Sequence, residues 1–463
     1  MSSQNETRLG RISALLPCGL GTLLAFVFTL KSSLYAADTA AAAVERPPNI
    51  VLILADDLGY GGIGCYGHPQ VRSPHLDRLA AEGIRFTDFH SNGAVCSPTR
   101  AALMTGRYQQ RSGIEGVVTA AGHRHTGLPL DELTIAELMK QAGYATGICG
   151  KWHLGYDVKF NPTRQGFDFF RGYVSGNVDY HSHIDQANYL DWWHDAKLQN
   201  EPGYTTDLFT KYAVEFIEQH RKEPFFLYIP HEAVHYPLQG RDSPAQRALG
   251  ERPGPKLAPG EDAQDIHQQM AEAMDESVGQ VVATIKRLGL GENTLIFFFS
   301  DNGPMPQSSA GPLRGRKGSI YEGGHRVPAI ACWPGAIKPG QTSDVQAMGA
   351  DLLPTFAALA GAKLPQELTL DGRSLQSVLL ASGSLAPRDL FWRVGSGRAI
   401  RRGDWKLVVT GKGKRESVEL FNLADDLAEK HDLASDEPQV AKELREALRA
   451  WEASVASGVE RRT

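Results

Sequence analysis

Apolar residues run almost unbroken through Asn49-Ile50-Val51-Leu52-Ile53-Leu54-Ala55, and the run stops abruptly at Asp56-Asp57. A short apolar run without alternation is the pattern of a strand covered on both faces. The pattern returns at Tyr144 to Cys149, at Phe225-Phe226-Leu227-Tyr228-Ile229, at Thr294 to Ser300 and at Val327 to Trp333. Between these runs the spacing changes to that of amphipathic helices. Phe209, Tyr212, Ala213, Phe216 and Ile217 share one face over 206–220, and Ile266, Met270, Met274, Val278 and Ile285 share another over 265–288. Ser73-Pro74 starts a helix carrying Leu76, Leu79 and Ala80, and Thr134 to Ala142 forms a further one. Buried strands alternating with such helices predict an α/β fold, a mostly parallel central sheet with helices on both faces.

After Pro365 the pattern changes. Ser382-Gly383-Ser384 is a turn-rich link, after which Phe391-Trp392, Arg398 to Val409 and Glu419-Leu420-Phe421 alternate as antiparallel strands do. A helix over about 438–454 closes the chain. The expected organisation is a main domain over 47–375 and a small C-terminal antiparallel sheet with a packed helix over 386–460. At the other end, Arg8 and Arg11 precede an apolar run from Ile12 to Leu30, then Lys31 and an Ala-rich tract to Ala43. This is the layout of an export signal over about 1–36 with an Ala-rich linker over 37–46. It implies the export machinery as a partner and a periplasmic or extracellular destination. The competing reading is an uncleaved membrane anchor, against which Pro17, Gly19 and Gly21 count.

The 48 basic and 53 acidic side chains leave a formal charge of −5 with no basic stripe, so nucleic acid is not an expected partner. Cys18, Cys65, Cys96, Cys149 and Cys332 are too scattered to form a disulfide framework.

Polar residues stand directly after the buried strands: Asp56-Asp57, Gly150-Lys151-Trp152-His153, His231 to His235, and Asp301-Asn302. In parallel sheets ligands bind at the carboxyl ends of strands, so these four ends predict one site. Asp56, Asp57, Asp301 and Asn302 offer only oxygen, which selects Ca2+ or Mg2+, although Asp pairs also serve as turns and helix caps. Arg100, Lys151, His153, His235 and Lys317 supply positive charge and proton donors for an anionic tetrahedral group. Cys96 opens a short helical run at Cys96-Ser97-Pro98-Thr99-Arg100, with Pro98 suited to a first turn and the helix's positive end at the cysteine. From its residue type and place, Cys96 is a buried small side chain, a reactive thiol or a modified residue.

The chain resembles the formylglycine-dependent sulfatases of the alkaline phosphatase superfamily from Pro48 to about Leu433. The resemblance rests on Cys96-Ser97-Pro98-Thr99-Arg100 with Leu103-Met104-Thr105-Gly106, and on Gly143-Tyr144-Ala145-Thr146 through Gly150-Lys151-Trp152-His153. Leu313-Arg314-Gly315, Lys317-Gly318, Tyr321-Glu322-Gly323-Gly324, Arg326-Val327-Pro328 and Leu420-Phe421-Asn422-Leu423 extend it. It implies that a maturation enzyme reading Cys-X-Pro-X-Arg converts Cys96 to Cα-formylglycine. The hydrated aldehyde would attack sulfur with one hydroxyl, and the second hydroxyl would lose its proton to expel sulfate, which a serine could not do. The resemblance further implies that Asp56, Asp57, residue 96, Asp301 and Asn302 hold one Ca2+. Arg100 and Lys151 would neutralise sulfate oxygens, His153 would be the base for elimination, and His235 and Lys317 would serve the leaving oxygen. Ser175 is a weaker candidate for sulfate contact, since its alignment needs a gap.

Departures from the family pattern are Thr99 for serine, Cys149 for a small or aliphatic residue, Val234 for proline, Pro304 for glycine, and Leu427 within the usual Asp-Pro. Between Asp179 and His194, Tyr180, His181, His183, Tyr189, Trp192, Trp193 and His194 either stack on sugar rings or close an internal interface. The expected substrate is a sulfated carbohydrate, with small aryl sulfates also admissible. The rival readings are a phosphomonoesterase or phosphodiesterase of the same superfamily, and a non-catalytic glycan-binding relative.

Overall fold

The computed structural model describes residues 46–251 and 256–456. The expected export signal, and all of the expected linker except Arg46, lie outside the described residues.

The apolar runs form the strands β1 (Asn49–Ala55), β2 (Ala145–Lys151), β3 (Phe169–Tyr173), β4 (Phe225–Pro230), β5 (Thr294–Ser300) and β6 (Ala329–Cys332). They are the body of a ten-stranded sheet whose central order is β6-β5-β1-β4-β2-β3, extended at both edges by strands of two or three residues. β5, β1, β4, β2 and β3 run parallel, whereas β6 pairs antiparallel with β5 through Ile330 opposite Phe298. The expected mostly parallel α/β sheet is therefore present.

Alternate side chains of each strand feed two separate cores. Ile50, Leu52 and Leu54 join Phe226, Tyr228, Phe297 and Phe299 on one face. There they meet the helices α2 (Cys96–Thr105), α3 (Ile135–Gln141) and the segment 352–360. Val51, Ile53 and Ala55 join Leu227, Ile229 and Phe298 on the other face, covered by the helices α1 (Pro74–Ala81), α4 (Thr205–Gln219) and α5 (Ala263–Arg287). Both faces being dry explains why the strands lack a polar alternation. Thr134 caps α3 as a capping box, its hydroxyl accepting the Glu137 N–H (3.1 Å) while Glu137 returns the bond to the Thr134 N–H (2.9 Å).

The C-terminal part is a four-stranded antiparallel meander over Asp389–Val394, Gly397–Arg402, Trp405–Thr410 and Ser417–Asn422, with the helix Pro438–Ala456 packed on it. Its core takes in Tyr108, Ile320, Met348 and Ala350 from loops and short segments of the main domain, so the two parts share apolar contacts. They also share a buried ionic knot. Lys406 Nζ lies 2.9 Å from Glu322 and 2.8 Å from Glu429, all three side chains being fully buried or nearly so. Arg401 reaches Asp88 (2.7 Å), which accepts from the His90 ring (2.8 Å), and the Trp392 indole stacks 4.0 Å from His325.

Deleting one partner of such a knot leaves a buried charge uncompensated, which costs about 3–5 kcal/mol. Lys406→Met is therefore expected to lower unfolding free energy by about that amount in urea titration. The double variant Lys406→Met with Glu322→Gln should recover part of the loss, whereas a Lys406→Met change within about 1 kcal/mol would contradict the ionic role.

Candidate active site

The chain leaves β1, β4 and β5 side by side, and backbone bonds keep the three exits together. Asp301 N–H donates to Ala55 O (3.0 Å) and His231 N–H to Leu54 O (2.9 Å), extending the ladder one residue past the sheet. Asp56 N–H donates to Ala233 O (3.0 Å), and Val234 N–H returns a bond to Asp56 O (2.7 Å). Val234 thus sits in a clasp made by the backbone, which its departure from the family pattern leaves intact. Asp57 turns into the left-handed region (φ 63°), as does His153 (φ 58°), a conformation costly for side chains other than glycine and concentrated at functional sites.

The loop bearing Lys317 is stapled to the same place. Lys317 N–H donates to Pro304 O (3.2 Å) and Gly318 N–H to Ala94 O (2.8 Å), just before Cys96. Gly303 allows this approach, because a Cβ there would lie 1.9 Å from Gly323 O.

At the centre stand three buried carboxylates and three cations. Asp56 receives Lys151 Nζ and, at 3.4 Å, Arg100. Arg100 also donates to Asp301 (2.9 Å) and to the Lys151 carbonyl (2.9 Å). Asp57 receives Lys317 Nζ (2.8 Å) and the Asn302 amide N–H (2.6 Å), with the His235 ring 3.6 Å away. Burial opposes ionisation of Asp56, but Lys151, His235 and Arg100 outweigh it and hold that carboxyl far below its usual range. Asp301 goes the other way, pushed up to about 7 by burial and by the charge of Asp56. Asn302 Oδ1 is buried with no hydrogen-bond partner among the described residues.

Cys96 is the first residue of α2, 2% exposed, its Sγ 3.8 Å from Asp56 Oδ1. Ligand atoms of Asp56, Asp57, Cys96 and His235 all lie within 4.8 Å of one another. Burial pushes the Cys96 thiol up to about 12, so the unmodified side chain is a neutral thiol at neutral pH. Cys65, Cys149 and Cys332 are free as well.

The two histidines present defined nitrogens. His153 Nε2 lies 3.0 Å from Val118 O, and a carbonyl can only accept, so Nε2 carries the proton. Its buried Nδ1 has no partner among the described residues and keeps a lone pair in the neutral ring. His235 Nδ1 is matched in the same way to Tyr236 O (2.7 Å), which aims Nε2 at the acid cluster.

Residues 48–362 match the family described as Sulfatase, and residues 316–454 match the C-terminal region of N-sulphoglucosamine sulphohydrolase. The chain belongs to the sulfatase family. Human arylsulfatase A is 40% identical over 419 residues, covering 83% of this chain and 79% of its own. Mouse N-acetylgalactosamine-6-sulfatase is 36% identical over 394 residues, covering 79% and 72%. Among solved structures, Ps i-CgsB superposes with a TM-score of 0.79 at 32% identity, over 88% of this chain and 93% of its own. The sulfatase is thus a sulfuric ester hydrolase of alkaline phosphatase-like fold.

All ten residues singled out in the sulfatase sequence converge: Asp56, Asp57, Cys96, Arg100, Lys151, His153, His235, Asp301, Asn302 and Lys317. Ser175 has a different occupation, its hydroxyl donating to Asn177 O (3.0 Å). Most aromatics between 179 and 194 close the fold. Trp192 is buried between His183 (4.0 Å) and Phe209 (5.4 Å), and Tyr180 stacks on Tyr204, leaving Tyr189 as the exposed ring of that set. Two features escape a reading of residue types. The Val118 carbonyl sets the His153 tautomer, and any residue could supply it. Tyr236 stacks on His235 (4.3 Å), a contact made by the turn after Val234.

Thr99 fixes the loop that delivers Cys96: its hydroxyl donates to Gly93 O (2.9 Å) and accepts Gly93 N–H (3.1 Å). Thr99→Ser keeps both bonds and should change stability by less than about 1 kcal/mol, whereas Thr99→Val strands the buried Gly93 N–H, while Gly93 O keeps the Ser91 hydroxyl, and should cost about 1–3 kcal/mol in thermal or urea unfolding.

Proposed function

We propose that this sulfatase hydrolyses sulfate monoesters of carbohydrates with residue 96 as Cα-formylglycine beside one Ca2+. The observation that carries the reading is Cys96 itself, a neutral buried thiol at a helix start, ringed by three carboxylates and three cations. Its 2% exposure means that the maturation enzyme would act on Cys96-Ser97-Pro98-Thr99-Arg100 before the chain folds.

The donor set fits a hard divalent cation. Asp57 and Asp301 are raised by burial in company with the Asp56 charge, and the orphaned Asn302 Oδ1 lacks a donor. Asp56, Asp57, residue 96, Asp301 and Asn302 would hold Ca2+, which supplies Lewis-acid polarisation at residue 96. The hydrated aldehyde supplies two hydroxyls on one carbon, one to attack sulfur and one to expel sulfate.

The chain's own side chains do the remaining work. Three cations balance three carboxylates, so a divalent ion leaves the site positive for a monoanionic sulfate ester. Arg100 spans Asp56 and Asp301 and keeps both oriented, while Lys151 holds a positive charge at full burial. His153 offers Nδ1 as the base. Lys317 Nζ, which carries protons, lies at Asp57 where a leaving alkoxide would take one, and His235 Nε2, whose ring proton sits on Nδ1, stands beside it as an acceptor that would hold the donor in place.

Carbohydrate substrates are supported by the relatives: N-acetylgalactosamine-6-sulfatase by its name, and Ps i-CgsB by its complex with k-i-k-neocarrahexaose at 31% identity and a TM-score of 0.78. A two-metal phosphatase is less well supported. The other described cluster of metal-ligand type, His90, Glu322 and His325, is already met by Lys406 and Arg401. The apolar Ile12 to Leu30 run supports export to the periplasm or the cell exterior through the export machinery.

Protein from a maturation-competent host should release sulfate from sulfated galactose or N-acetylgalactosamine, and lose that activity on chelation by EGTA with recovery by Ca2+. Cys96→Ala should abolish turnover, and His153→Asn should lower kcat by about 10²- to 10⁴-fold. Hydrolysis of the matching phosphate monoesters at equal rate, or turnover surviving in Cys96→Ala, would overturn the reading.

A further inference from the structure

His235 stacks on a tyrosine and His153 reaches one through Gly176, and beside each tyrosine stands a cation with no ion pair or hydrogen bond among the described residues. On one side His153 lies against Gly176, where a Cβ would fall 2.9 Å from Nε2. The Gly176 N–H donates to the Tyr156 hydroxyl (3.3 Å). The Arg124 guanidinium stands 5.9 Å from the Tyr156 ring centre and 4.4 Å from that of Tyr189, which is 57% exposed. On the other side His235 stacks on Tyr236, and Lys256 Nζ stands 4.3 Å from the Tyr236 ring centre.

One segment joins the two sides. Asp185 accepts the N–H groups of Ala187 (2.8 Å) and Tyr189 (2.9 Å), and from the same turn Gln186 donates to the Tyr236 hydroxyl (3.2 Å). The Arg124 loop is anchored at both ends beside the site. Val118 N–H donates to Ser97 Oγ (3.1 Å), next to Cys96, and Leu128 N–H donates to Leu154 O (2.8 Å), next to His153. Arg124 and Lys256 make no ion pair within 4.0 Å and no hydrogen bond among the described residues. Their aromatic contacts restrain them while leaving their N–H donors open.

We propose that Arg124 and Lys256, linked through the turn that carries Gln186 and Tyr189, form a subsite for a second anionic group on the sugar next to the sulfate ester. Resting on the sulfatase reading above, this makes the substrate a polyanionic oligosaccharide rather than a singly charged sulfate. A sugar ring lies on Tyr189 through its apolar face, and its carboxylate or second sulfate takes charge-assisted hydrogen bonds from Arg124 or Lys256. The flanking carboxylates leave the donors open to a ligand: Asp185 feels the Arg124 charge but makes no ion pair with it within 4.0 Å and spends one oxygen on its own turn, and Asp157 lies 3.9 Å from the exposed His125.

The test is calorimetric binding to Cys96→Ala protein, which retains the subsite and does not turn over. Four probes separate the charges: 4-nitrophenyl sulfate, N-acetylgalactosamine 6-sulfate, a disaccharide joining that sugar to a uronate, and a disaccharide bearing two sulfates. Arg124→Gln with Lys256→Gln should weaken at least one dianionic disaccharide by roughly tenfold or more and leave both monoanions within about twofold. Loss confined to the uronate or to the disulfate identifies the anion recognised. Equal loss on all four probes, or none, would overturn the proposal. Unaltered melting temperatures confirm that the variants fold. Kinetics of the matured enzyme on all four probes keep the two readings apart, since a wild-type protein that releases sulfate from none of them contradicts the sulfatase mechanism and leaves the binding result standing.

Discussion

Gathering three carboxylates at zero exposure is the constraint on which the rest of this structure depends. Like charges in a dry cluster repel, and each carries a desolvation cost of several kcal/mol. Lys151 and Arg100 on Asp56, Arg100 on Asp301, and Lys317 on Asp57 are what make the cluster tolerable. Those same cations are the groups an anionic ester would meet. Stability and function therefore draw on one set of charges, and their balance, three against three, leaves room for a divalent ion and its anionic partner.

The fold explains how so polar a centre can be assembled. Five parallel strands bury both faces, so polar side chains can gather only where the strands end. The backbone bonds between Asp301 and Ala55, His231 and Leu54, and Val234 and Asp56 hold the ends of β1, β4 and β5 in register past the sheet. Lys317 comes from a long way down the chain, yet Gly318 bonds to Ala94, one loop before Cys96. The C-terminal sheet buttresses this loop through Glu322, which Lys406 and Arg401 grip from the second sheet.

Much of this was legible in the residues alone. Continuous apolar runs such as Ile50 to Ala55 and Leu295 to Phe299 mark buried parallel strands, and the polar pairs after them mark the site. The ten site residues follow from strand ends together with the family signatures. What stayed hidden depends on tertiary contact. The alternation over 391–421 shows an antiparallel sheet but not the Lys406 knot that ties it to Glu322. The aromatics over 180–194 look alike in sequence, and only packing separates the buried Trp192 from the exposed Tyr189. The tautomer of His153 is set by the carbonyl of Val118, an atom every residue possesses.

The mass of the peptide carrying residue 96 tests the central claim most directly. The geometry makes the thiol a poor nucleophile and the position a suitable seat for an aldehyde. Protein made in a maturation-competent host should therefore yield this peptide lighter by about 18 Da, the change from thiol to aldehyde, in proportion to its sulfate-releasing activity. An unmodified Cys96 accompanied by full sulfate release would contradict the account.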